Sequence, residues 1–94
     1  MNVEWLPVAE RDLTDQMEWI GERSPWAAID IGDAVLAAVA RLADHPVMGR
    51  PGRVAGTREL PVVGTPYVVV YRVEAAAVVV LRILHGARRW PPAT

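Results

Sequence analysis

The chain reads as an α+β domain: one strand, two helices in a hairpin, then three strands, with the hairpin packed on one face of a mainly antiparallel sheet. Three observations predict this. An apolar stripe at helical spacing runs from Val8 to about Arg23, Ser24-Pro25 opens a second such stripe, and two runs rich in Val, Tyr, Ile and Leu close the chain. The 94 residues suit a single domain spanning 1–94, with a modest core.

The elements follow in order. Asn-Val-Glu-Trp-Leu at residues 2–6 alternates polar and apolar, predicting a short strand with Val3 and Trp5 on one face. Pro7 ends it and fits the first turn of a helix, where a missing N–H costs nothing. Ala9, Leu13, Met17 and Ile20 then form one helical stripe, with Glu10, Asp12, Asp15, Glu18 and Glu22 off it. Ser24 can cap a second helix and Pro25 take its first position. That helix is expected to run to about Asp44 on Ala28, Ile31, Val35, Ala38 and Leu42, widened by Leu36 and Val39, until His45-Pro46 stops it. So short a connection predicts an antiparallel hairpin.

Residues 46–56 hold three glycines and two prolines, which predicts a loop. Thr57–Val62 reads as a weak strand, with Pro61 arguing for a bulge or an edge position. Tyr67–Val73 and Val78–Leu84 read as strong strands joined by a hairpin at 74–77. Arg88-Arg89-Trp90-Pro91-Pro92 reads as a tail.

Composition excludes several classes. At 52% hydrophobic and 22% charged residues the chain is not disordered. It has no cysteine, hence no disulfide or thiolate chemistry, as suits a reducing cytoplasm. No signal peptide is expected, and the longest apolar runs are too short to span a bilayer, so no membrane partner is expected either. No cofactor or metal is expected: His45 and His85 alone make no metal site.

The net charge of −1 hides an asymmetry. Residues 1–49 carry nine acidic side chains against three arginines, while residues 50–94 carry seven arginines against Glu59 and Glu74. The C-terminal half therefore suits an acidic partner or a phosphate backbone. All ten basic residues are arginine, a side chain that binds carboxylate and phosphate through a flat fork.

Pairing Val62 with Tyr67 and Val73 with Val78 sets the faces of the predicted sheet. Arg58, Leu60, Val62, Tyr67, Tyr71, Arg82 and Leu84 fall on one face. Val68, Val70, Arg72, Val79, Leu81, Ile83 and His85 fall on the other. The second set is the more aliphatic and is expected to face the helices, leaving Arg58, Tyr71 and Arg82 on an open face. Arg72 is expected to pair with Glu74 or lie at an edge, and Trp26 to sit exposed on the hairpin.

Three groups of residues together resemble the RelE/ParE toxin superfamily over nearly the whole chain. They are Val3-Glu4-Trp5 with Pro7 and an acidic helix; the segment from Leu42 to Gly52; and the runs Thr57–Leu60, Tyr67–Val73 and Leu81–Arg88. The resemblance implies a RelE/ParE-like fold and the toxin of a type II toxin–antitoxin system, of the ParE-like, plasmid-stabilisation kind, covered by a cognate antitoxin. Two targets occur in such toxins. ParE-like members inhibit DNA gyrase, and RelE-like members cut messenger RNA on the ribosome. For RNA cleavage the resemblance points to Arg58 as a cation on the phosphate and His85 as the acid or base, and Arg82 is expected to hold a second phosphate oxygen, which makes these three the catalytic residues. For binding, it points to Arg58, Tyr71, Arg82, Arg88, Arg89, Trp90 and Trp26 as the antitoxin or target surface. The chain departs from the nuclease pattern. It has no lysine, no tyrosine follows the last strand, alternation turns Glu59 away from Arg58, and the pI is near 6.1. These departures favour gyrase binding, with the ribosome-dependent endonuclease as the alternative.

Overall fold

The computed structural model describes residues 1–86 and 90–91. Its elements are β1 (Asn2–Trp5), α1 (Pro7–Gly21), α2 (Pro25–Arg41), β2 (Arg50–Pro51), β3 (Arg58–Pro61), β4 (Tyr67–Val73) and β5 (Ala77–His85). They form one sheet in the order β1-β5-β4-β3-β2. β1 runs parallel to β5 and the other pairings are antiparallel. The α+β order with a helix hairpin on a mainly antiparallel sheet is as expected.

Local chemistry explains the helix boundaries. Pro7 opens α1, and the Leu6 carbonyl accepts the N–H groups of Ala9 and Glu10. Ser24 caps α2 through its hydroxyl, which accepts the Ala27 N–H at 3.3 Å, and Pro25 stands first in the helix. α2 ends at Arg41, earlier than expected, and single turns carry the chain on to His45-Pro46. The two helices approach closely where Gly32 meets Met17: a side chain at Gly32 would come within 3.3 Å of the Met17 sulfur. Residues 46–56 are not all loop. Arg50 and Pro51 pair with Glu59 and Arg58 as a two-residue edge strand.

The main core lies between hairpin and sheet. Ala9, Val35, Ala38, Val39 and Leu42 pack onto Leu60, Val62, Tyr67, Val69, Tyr71, Val78, Val80 and Ile83. Val3, Trp5, Leu13 and Ile20 close its margin. Each fully buried large aliphatic among them contributes about 1.5–3 kcal/mol.

The expected assignment of the two faces is corrected here. Val73 does pair with Val78, and Tyr71 with Val80, but Val70 pairs with Arg82. Leu81 is thus an extra residue, a β-bulge, and every side chain beyond it changes sides relative to β4. Ile83 and His85 join the face of Tyr67 and Tyr71. With Val69, Val78 and Val80 already there, that face is the aliphatic one, and it is the one the helices cover. The other face is not bare. Val70, Ala77, Val79, Leu81 and Leu84 form a second buried cluster, against which Leu6 and Trp90 pack. No helix is long and apolar enough to cross a membrane among the described residues.

Candidate functional site

Arg58 stands on β3 opposite Tyr71, on the helix side of the sheet. Its Nη1 donates to the carbonyls of Gly49 at 2.8 Å and Val47 at 3.4 Å, so it braces the loop that leaves α2. Tyr71 holds the same loop from below. Its hydroxyl donates to the Pro46 carbonyl at 2.8 Å and accepts the Gly49 N–H at 2.9 Å. A side chain at Gly49 would meet that hydroxyl at 2.7 Å, which is why only glycine fits there. Tyr71 has no exposed surface. The expectation that it belongs to an open binding face is therefore corrected: it faces the core, and its polar end is spent on the loop.

Arg82 faces a partner that the sequence reading did not foresee. Its Nε and Nη2 donate to Asp12 at 2.7 and 3.0 Å, and the same carboxylate accepts the Ile83 N–H at 3.0 Å. β1 covers only Ala77–Val80 of β5, so beyond it the strand's edge is open. Asp12, on the helix that follows β1, closes that edge. The hydrogen bond and charge of Asp12 raise the pKa of Arg82 against the opposing effect of burial. Neither is freely exposed, at 20% and 11% for the two side chains.

His85 ends β5 opposite Tyr67, with the two rings edge to face at 5.9 Å. It is exposed and, with Asp15, Gln16, Trp19 and Tyr67, lines a cleft of about 470 Å³. The Tyr67 hydroxyl donates to Gln16 Oε1 at 3.0 Å, and burial raises its pKa.

The three expected catalytic residues do not meet. Arg58 lies level with Tyr71 and His85 level with Tyr67. At about 3.3 Å per residue and about 4.8 Å between strands, their backbones are roughly 16 Å apart. Arg82 points to Asp12 at the far edge of β5. Glu59, the other carboxylate on β3, is 1% exposed and does face away from Arg58, toward Arg50 and Arg53. Burial opposes its ionisation, but hydrogen bonds from Arg53 and Arg50 outweigh this and hold its pKa below the usual carboxylate range. It is an anchored anion, poorly suited to act as a base.

Of the expected binding residues, Trp26 is 77% exposed on α2. Ile29 and Leu36 lie on the same exposed side at helical spacing, and Trp19 on α1 is more than half exposed, with the Arg23 guanidinium 3.7 Å over its ring. Trp90 packs on the second cluster with its indole N–H buried and, among the described residues, no hydrogen-bond acceptor. Arg88 and Arg89 lie outside the described residues. Arg72 pairs with Glu74 at 2.7 Å, as expected.

A family model described as the ParE toxin of type II toxin–antitoxin system, parDE, matches residues 3–90. The chain belongs to the ParE toxin family. Toxin RelE3 of Caulobacter vibrioides is 40% identical over 90 residues, covering 94% of this chain and 97% of that protein. Toxin RelE2 of the same organism is 41% identical over 86 residues, covering 92% and 96%. A solved structure of the chromosomal ParDE TA system from P. aeruginosa matches this toxin with a TM-score of 0.82 at 25% identity, over 90% of this chain and 95% of that one. The relatives bear both RelE and ParE names, so their names do not choose a target for this toxin.

Two polar centres of the toxin, Asp12 with Arg82 and Glu59 with Arg50 and Arg53, escaped the sequence reading. Asp12 lies off the apolar stripe of α1 like its solvated neighbours, and 70 residues separate it from Arg82. The signal for Glu59 was fainter: a glutamate following Arg58, downstream of Arg50 and Arg53.

Proposed function

We propose that this toxin arrests growth by binding a protein target, DNA gyrase, with no catalytic step of its own, and that a cognate antitoxin covers its binding surface. The observation that carries the reading is the separation of Arg58, Arg82 and His85. Cleavage by a neighbouring 2′-hydroxyl requires base, acid and cation around one phosphate. Here one cation is held by Asp12, another by loop carbonyls, and the histidine ends β5 four residues along the sheet from Arg58 and two strands away.

Charge supports the same reading. Ribosomal RNA rewards many phosphate contacts, whereas this chain carries a net charge of −1 and an acidic first half. The exposed Trp26, Trp19 and Arg23 are of the residue types that dominate protein–protein contacts. The chromosomal ParDE system that the fold matches is itself a toxin–antitoxin system, which supports an antitoxin partner here.

Purified gyrase acting on relaxed plasmid tests the target. The toxin should block supercoiling at near-stoichiometric amounts, and added antitoxin should restore it. Uninhibited supercoiling, with cleavage of messenger RNA on programmed ribosomes, would replace this reading with the endonuclease. The feature favouring that second reading is the cleft at His85, where a titratable ring stands beside Trp19, Gln16 and Asp15.

A further inference from the structure

Arg50 and Arg53 converge on one carboxylate that water does not reach. Glu59 Oε1 accepts from Arg50 Nη2 at 3.3 Å and Arg53 Nη2 at 3.2 Å, and Oε2 accepts the Arg53 N–H at 3.0 Å and Arg53 Nε at 3.2 Å. The glutamate is 1% exposed, yet the arginine side chains above it are 58% and 50% exposed. Each guanidinium offers five N–H donors, and these contacts use only part of the set. Among the described residues, no hydrogen bond engages Nη1 of Arg53, or Nε and Nη1 of Arg50.

We propose that Arg50 and Arg53, held in place by Glu59, form a recognition site for carboxylate side chains of an acidic segment on a protein partner. This rests on the reading that the toxin works through protein contacts. Glu59 anchors both guanidiniums, so much of the entropy of ordering two long side chains is already spent before a ligand arrives. One buried glutamate under two arginines leaves the cluster net positive. Arg53 holds Glu59 side-on through Nε and Nη2, which leaves its Nη1–Nη2 edge for a second carboxylate, while Arg50 contacts Glu59 through Nη2 alone.

A phosphate backbone fits less well. Two arginines over one glutamate make a small patch, and nine acidic residues in the first 49 would repel a polyanion that extends past it. A short acidic peptide segment needs no more than the patch.

The test uses the full 94-residue toxin labelled with ¹⁵N, following the Arg50 and Arg53 Nε–Hε signals. The probes are a hexaglutamate peptide, its hexaglutamine counterpart and a hexauridylate oligonucleotide. Hexaglutamate should shift both signals saturably, and the effect should weaken as salt is raised. Hexaglutamine should leave them unmoved, and hexauridylate should bind at least tenfold more weakly. The R50A/R53A double variant should lower hexaglutamate affinity at least tenfold. Should that variant unfold, Arg50→Gln, which removes one of the four contacts to Glu59, should still weaken binding severalfold. Unshifted arginine signals, undiminished binding by the folded variants, or equal binding of hexauridylate at the same signals would each overturn the proposal. The readout contains no gyrase, so a negative supercoiling assay beside positive peptide binding would remove the target and leave the site.

Discussion

Single side chains set the stability of the surface loops. Tyr71 is a core residue whose hydroxyl serves the loop after α2, bridging the Pro46 carbonyl and the Gly49 N–H. Tyr71→Phe keeps the packing but leaves that buried N–H without its acceptor. The expected loss is about 1–3 kcal/mol in urea unfolding; an unchanged midpoint would mean that water replaces the hydroxyl at no cost. Glu59 makes a second prediction. Its folded pKa is depressed, so its contribution is present above the unfolded value of about 4.3 and is lost as pH falls through the lower folded value. Stability should therefore drop as pH falls from about 5 to 3, and Glu59→Gln should be less stable at neutral pH and flatter over that window. Parallel pH profiles for the two proteins would place the acid sensitivity elsewhere.

At the scale of elements, Asp12 ties α1 to the stretch of β5 that β1 leaves uncovered, through Arg82 and the Ile83 N–H. Asp12→Ala strands a partly buried guanidinium and opens the strand edge. A loss of about 2–3 kcal/mol is expected, together with markedly faster hydrogen exchange at Ile83; protection at Ile83 equal to wild type would contradict this role. Element type and order were legible in the sequence because helical stripes, Ser24-Pro25 and the valine-rich runs are local signals. The sides of the sheet were not. The bulge at Leu81 leaves no mark in an unbroken run of apolar residues, and one extra residue reverses every side chain after it. That single residue puts Ile83 and His85 on the side of Tyr67 and Tyr71 and takes Arg82 and Leu84 off it. Tyr71 is buried for a different reason: the aliphatic residues Val69, Val78 and Val80 share its face and draw it under the helices.

Over the whole molecule, charge and exposure divide the surface. The acidic first half carries the exposed Trp26, Ile29 and Leu36, and the arginines of the second half gather near β2 and β3. Trp26 was legible as an exposed residue because it sits directly after a helix-opening Ser-Pro pair. The partnerships of Arg82 and Glu59 were not, since both depend on tertiary placement. With 77% of its surface in water, Trp26 contributes little to folding. Trp26→Ser should stay within about 0.5 kcal/mol of wild type in stability yet lose growth inhibition or capture by antitoxin. Retention of both would remove the hairpin from the binding surface. The proposed action of this ParE-family toxin is on a protein, without cutting RNA. Pulse labelling of DNA and protein synthesis in one culture, begun as the toxin is induced without antitoxin, tests it most directly. DNA synthesis should stop first while translation continues; translation collapsing first, with messenger RNA cut, would contradict action on a protein target.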